Sequence, residues 1–146
     1  MGTHYTGGLN MRPVSVADGA TYTFLKKNSG KVHLIPDLTA DCTFTLPAAE
    51  NGLMYELWYT GTAADAQDWI VNTASTSELF YGGLVHLDQD AGSAGDEVVI
   101  VDGDQSNDDT MTILTPQAGT LVKLVSNGTH WYVTGYVASA TAPTFA

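Results

Sequence analysis

The residues best suited by type to do chemistry form one acidic run, Asp102-Gly103-Asp104-Gln105-Ser106-Asn107-Asp108-Asp109. Clustered carboxylate and amide oxygens are the ligands a hard cation such as calcium takes. The run fails the EF-hand spacing, however. Its sixth position is Asn107, where that loop turns on Gly, and its twelfth is Ile113, where that loop needs a bidentate Glu. Asp and Asn also populate turns readily. The expectation is therefore an exposed acidic hairpin loop between strands at 97–101 and 111–114. A second set is His86, Asp88 and Asp90, which alternate and would share one face of an extended strand. One imidazole with two carboxylates can bind a metal. Gln89-Asp90-Ala91-Gly92 reads as a turn, and no metal is expected.

No Gly-x-Ser-x-Gly elbow or His-Glu-x-x-His pair occurs. No glycine-rich phosphate loop opens a helix. Carboxylates for glycoside hydrolysis would meet only in space, and the acids here stand mostly in turns. The chain is expected to be non-enzymatic, with no catalytic residue and no cofactor. Cys42 is the sole cysteine, so no intramolecular disulfide can form. It alternates with Phe44 and Leu46 and is expected to be buried as a small hydrophobe. Asn127-Gly128-Thr129 is formally a glycosylation sequon. Asn-Gly is also the strongest short hairpin signal, because both central positions of a type I′ turn need positive φ. The turn reading is preferred.

The aromatics are Trp58, Trp69, Trp131, seven Tyr and four Phe. Large aromatics dominate cores and interfaces. An exposed row of them would instead make a sugar-binding platform.

The elements that must position these residues read with period two. Candidate strands fall at 22–26, 32–35, 42–46, 53–60, 69–72, 79–81, 84–87, 97–101, 111–114, 121–125 and 131–136. They are rich in β-branched and aromatic residues and bounded by Gly, Pro, Asn and Asp. The best helix candidate is 62–68, two turns at most. No fixed-period repeat of the solenoid or propeller kind is found. About ten short strands point to an all-β domain, a β-sandwich or jelly roll, at 20–137. An extended N-terminal arm precedes it at 1–19, with a short strand at Val14-Ser15-Val16, and a small-residue tail follows at 138–146. Strand 53–60 is apolar on both faces, which implies a central position or cover by a neighbouring subunit. Met54 and Trp58, on its second face, are the candidate subunit-interface residues.

Charge is unevenly spread. The 146 residues carry a formal net charge of −11. Residues 1–31 hold Arg12, Lys26, Lys27 and Lys31 against Asp18, a net of +3, and residues 32–146 hold Lys123 against fifteen acids, a net of −14. Nucleic-acid phosphates would be repelled by such a body, so no nucleic-acid partner is expected. No apolar stretch approaches ~18 residues, so no membrane partner is expected either. No secretory signal opens the chain, which is expected to be soluble and made in a reducing compartment.

Three stretches read together carry a resemblance. They are Asn28-Ser29-Gly30-Lys31-Val32-His33-Leu34-Ile35, then Thr43-Phe44-Thr45-Leu46-Pro47-Ala48 with Gly52-Leu53-Met54-Tyr55-Glu56-Leu57, and Leu121-Val122-Lys123-Leu124-Val125-Ser126-Asn127-Gly128-Thr129-His130-Trp131-Tyr132-Val133. In style of strand and turn this order resembles small β domains of tailed-bacteriophage virion proteins, most of all capsid (head) decoration proteins. The resemblance implies a structural protein that cements the head by binding its exterior as a homotrimer, with the major capsid protein as partner. It implies a place on the virion's capsid exterior after synthesis in the host bacterial cytoplasm. The basic residues Arg12, Lys26, Lys27 and Lys31 are the expected capsid contacts. The alternative is a receptor- or carbohydrate-binding module of a phage tail fibre.

Overall fold

The computed structural model describes residues 12–89, 98–104 (course of the backbone only) and 106–146. The described residues form twelve strands: β1 Val14–Ser15, β2 Thr21–Thr23, β3 Val32–Ile35, β4 Cys42–Thr45, β5 Asn51–Tyr59, β6 Trp69–Asn72, β7 Phe80–Asp88, β8 Val98–Asp104, β9 Thr110–Ile113, β10 Leu121–Asn127, β11 Trp131–Ser139 and β12 Thr144–Phe145. They build two mixed sheets. One has seven strands in the order β1-β3-β5-β10-β11-β7-β8, the other five in the order β12-β9-β6-β4-β2.

The first half of the chain is wound. β1 to β6 fall alternately in the larger and the smaller sheet, and each strand lies parallel to the one two places on. Val14 pairs His33 and His33 pairs Leu57; Thr21 pairs Thr43 and Thr43 pairs Ile70. The steps between successive partners are unequal, which is why no fixed period shows in the sequence. The second half is mostly hairpin-like, with β10 antiparallel to both β5 and β11.

Strict alternation closes one core between the sheets. Tyr55, Leu57, Val122, Leu124 and Trp131 enter it from the larger sheet, and Cys42, Phe44, Trp69, Val71, Met111 and Ile113 from the smaller. Aromatic rings join the two layers, Phe24 to Tyr55 at 5.0 Å and Tyr59 to Trp69 at 6.2 Å between centroids. Two glycines let the strands of the larger sheet approach. A Cβ on Gly135 would lie 2.1 Å from the carbonyl oxygen of Leu121, and one on Gly82 would lie 2.4 Å from that of Val133.

Several expectations need correction. Residues 62–68 form bends rather than a helix. The carboxylate of Asp65 accepts the amides of Leu38 and Gln67, and that of Asp68 accepts Thr115 N–H. These side chains tie the β5–β6 crossover to neighbouring loops, and the local backbone follows them. Lys26 lies outside the second strand, in a 3-10 turn Lys26–Asn28. Segments 79–81 and 84–87 are one strand, β7. The acidic run is not a hairpin, because β8 edges the larger sheet while β9 belongs to the smaller. Asp102 and Asp104 fall within β8. Asp108 and Asp109 lie in the crossover, where their carbonyls accept Phe80 N–H and Thr73 N–H. The β10–β11 connection is not a type I′ turn either. Gly128 has φ +97° while Asn127 keeps negative φ, and the Asn127 side chain accepts the amides of Thr129 and His130. Asn127 acts here as an Asx-turn acceptor.

Candidate functional site

The outward face of the seven-stranded sheet is the surface with the most unspent chemistry. Register arranges its side chains in three rows across the strands. The first row runs Leu34, Trp58, Leu121, Tyr136, Val85 over β3, β5, β10, β11 and β7. The second runs Val32, Glu56, Lys123, Thr134. The third runs Met54, Val125, Tyr132, Tyr81. Trp58 and Met54 are each 43% exposed, Tyr132 48% and Tyr136 53%, while the other two tryptophans, Trp69 and Trp131, are fully buried.

The outer rows are apolar and aromatic, and the middle row is polar. Lys123 Nζ lies 3.0 Å from Glu56 Oε1, and Trp58 Nε1 donates to Glu56 Oε2 at 3.2 Å. The only basic residue of 32–146 thus stands on this face, matched to an acid within a body that is otherwise strongly acidic. An open pocket of about 230 Å³ adjoins the first row, lined by Trp58, Tyr59, Gly119, Thr120 and Leu121. At the other end Tyr81 and Tyr132 stack at 5.6 Å, and Tyr81 also meets His130 at 4.7 Å.

Met54 and Trp58 both lie on this face, Met54 near the middle of β5 and Trp58 close to its C-terminal end. Lys26, Lys27 and Lys31 gather beside the Met54 end. Gly30 N–H donates to Met54 O at 2.8 Å, and Met54 N–H donates to Ser29 Oγ at 3.0 Å, so the basic turn is locked to that corner. Lys26 is paired with Glu50, and Lys26 and Lys27 are exposed. Arg12 is exposed next to β1. Residues 1–11 of the expected arm lie outside the described residues. Tyr81, Lys123, Tyr132 and Tyr136 were not singled out from sequence. Their alternation with buried neighbours was visible, but their adjacency to Trp58 and Met54 required the strand order.

Several other titratable groups among the described residues are engaged inside the fold. Cys42 is buried, and burial, with the nearby charge of Asp18, pushes its thiol up to about 11. His86 is buried and its Nε2 donates to Ser139 O at 3.1 Å. Asp90 lies outside the described residues. Among the described residues no three His, Cys, Asp or Glu gather to hold a metal ion. Tyr59 Oη is held by Asp37 and Ala63 O, and burial, with the bond to Asp37, pushes its pKa above the ordinary tyrosine range. Asp65 is buried beside it, which raises its carboxyl above the usual carboxylate range. His33 sits among Tyr22, Phe24 and Tyr55, and burial lowers its imidazole below the usual histidine range.

Among known proteins, no family model matches this chain and no curated protein matches it.

Proposed function

We propose that the chain is a non-enzymatic structural protein of a tailed-phage virion that decorates the capsid exterior as a multimer, against the major capsid protein. The observation that carries this reading is the corner where Lys26, Lys27 and Lys31 meet the apolar row led by Met54. There Lys26, Lys27 and Lys31, expected at the capsid, stand beside Met54, expected at a subunit interface, while Arg12 and Trp58 lie elsewhere. A basic, partly apolar corner on an acidic body attracts an acidic surface and repels copies presented any other way. A second copy supplies such a surface. A head-to-tail contact of this kind gives a closed ring, such as a homotrimer, when its rotation closes, and an open filament when it does not.

The mechanism is mechanical. Apolar area removed from water contributes roughly 25 cal/mol per Å² before ordering costs, and a ring that engages several capsomers at once gains avidity from each added contact. For the domain itself, the two sheets over one core are read as a β-sandwich. A jelly roll is wired through antiparallel Greek keys, and the parallel winding of β1 to β6 favours the sandwich.

Light scattering provides the first test. A mass that is a multiple of 15.5 kDa is expected, falling to that of one chain in Met54→Asp/Lys27→Glu. A single-chain mass for the unaltered protein at micromolar concentration removes the reading. Imaging particles by cryo-microscopy then decides whether the protein stands on the head.

A further inference from the structure

We infer that the Trp58 end of the same face is a binding site for a neutral, extended oligosaccharide. This inference is independent of the assembly reading, which uses the Met54 end. Four residues along β5 separate the two, about 13 Å at roughly 3.3 Å per residue.

A protein interface is depleted of charge at its centre, and burying the Glu56–Lys123 pair under another protein would cost more desolvation than its attraction returns. A saccharide reverses both objections. The C–H bonds on one side of a pyranose ring are weakly positive and suit the negative face of an indole or phenol. Its hydroxyls are both donors and acceptors, so they add to the hydrogen bonds of Glu56, Lys123 and Thr134 without stripping the pair of partners. Apolar aromatic rows flanking a polar row therefore match a ligand whose own surface alternates in the same way.

Three details sharpen the match. Trp58 and Tyr136 share a row with one strand between them, which sets them about 10 Å apart at ~4.8 Å per strand. That spacing suits two rings of an extended chain. The bond from Trp58 Nε1 to Glu56, itself held by Lys123, fixes the indole before any ligand arrives, which lowers the ordering cost of binding. The open pocket of about 230 Å³ beside Trp58 is smaller than a drug-sized site of roughly 300–1,000 Å³, so it has room for part of a longer ligand. The body's net charge of −14 over residues 32–146 repels sialylated or sulfated glycans and selects neutral ones.

Because Trp69 and Trp131 are buried, fluorescence quenching by acrylamide or by a ligand reads Trp58. The test titrates the full chain with cellohexaose and hexa-N-acetylchitohexaose, which are neutral, β-linked and extended. Maltohexaose, which is α-linked and coiled, is the geometric control. Saturable quenching and binding heat are expected for the two β-linked sugars. By calorimetry, Trp58→Ala should weaken binding at least about tenfold and Tyr136→Ala by a smaller factor, with circular dichroism and Tm unchanged. Absence of heat and quenching at millimolar sugar overturns the inference. So does binding that survives Trp58→Ala, or equal binding of maltohexaose. A Trp58 shielded from acrylamide by a second copy overturns it while leaving the assembly reading intact. A single-chain species that binds the β-linked sugars supports it while removing the assembly reading.

Discussion

The two faces of the seven-stranded sheet are made by the same strands and the same alternation, yet they hold opposite chemistry. The inner face of β5 presents Leu53, Tyr55, Leu57 and Tyr59 to the core, and its outer face presents Met54, Glu56 and Trp58 to solvent. On β11 the same split places Trp131 and Val133 inside and Tyr132, Thr134 and Tyr136 outside. Inside, a polar group is tolerated only where it serves packing or a hydrogen bond. Outside, aromatics remain although nothing within the described chain covers them. Apolar area kept in water on one face, while its mirror face is consumed by the core, is area left over for binding. Substitutions should therefore separate cleanly, with inner changes acting on stability and outer changes acting on recognition.

The sharpest break is expected at Trp131. Its indole is fully buried and donates to Glu78 at 3.3 Å. Trp131→Ala should cost about 3–5 kcal/mol, read as a large fall in the denaturation midpoint. A loss under 1 kcal/mol would mean the core does not carry the sheet.

Gly135 tests whether the strands need their close approach. Gly135→Ala drives a methyl into the Leu121 carbonyl, a backbone atom that cannot swing aside. A cost of about 3 kcal/mol is expected, measured by thermal unfolding. Gly119→Ala provides the contrast, since nothing lies within 4 Å of a Cβ there. Its positive φ alone leaves a cost of about 1 kcal/mol.

His33 links the inner face to pH. Its folded-state pKa lies below the ordinary 6.5 because burial disfavours the imidazolium, and the Lys31 charge adds to this. Above pH 6.5 both folded and unfolded chains hold it neutral, so it contributes no slope. As pH falls through 6.5 the unfolded chain binds a proton that the folded chain refuses, and stability drops by up to about 1.4 kcal/mol per pH unit until the folded pKa is reached. Denaturant titrations at pH 7 and pH 5, compared between the protein and His33→Met, isolate the term. Parallel profiles would show that His33 does not titrate across folding.

Cys42 and Tyr132 complete the series. Cys42→Ala should fold with a loss of about 1 kcal/mol, and the native thiol should resist maleimide labelling at pH 7, since burial keeps it protonated to about 11. Rapid labelling would contradict its burial. Tyr132→Ala, on the outer face, should change stability by less than about 0.5 kcal/mol. A loss comparable to that of Trp131→Ala would erase the distinction between the faces.

Much of the fold was legible in the residue order. The strands Val32–Ile35 and Trp69–Asn72 match their expected bounds, and the burial of Cys42 followed from its alternation with Phe44 and Leu46. The failures share a cause. The run at 62–68 had helical composition, but Asp65 and Asp68 are engaged by backbone amides distant in sequence. The acidic run looked like one loop because its charges are contiguous, yet a boundary between sheets passes through it. Half of the candidate site was equally hidden. Met54 and Trp58 stood out on a doubly apolar strand, whereas Tyr136 meets Trp58 only through Leu121 on β10.

The sequence by itself determined the all-β character, the parity that divides each strand into two faces, and the split between a basic start and an acidic body. These follow from local periodicity and composition, which need no knowledge of neighbours. Only the tertiary structure decided the parallel winding of β1 to β6, the strand order that lines up Leu34, Trp58, Leu121, Tyr136 and Val85, and the pairing of Lys123 with Glu56. Those depend on which strands pair across long stretches of chain. The alternation of side chains states that a strand has two faces, and it is the same whichever partner lies beside it.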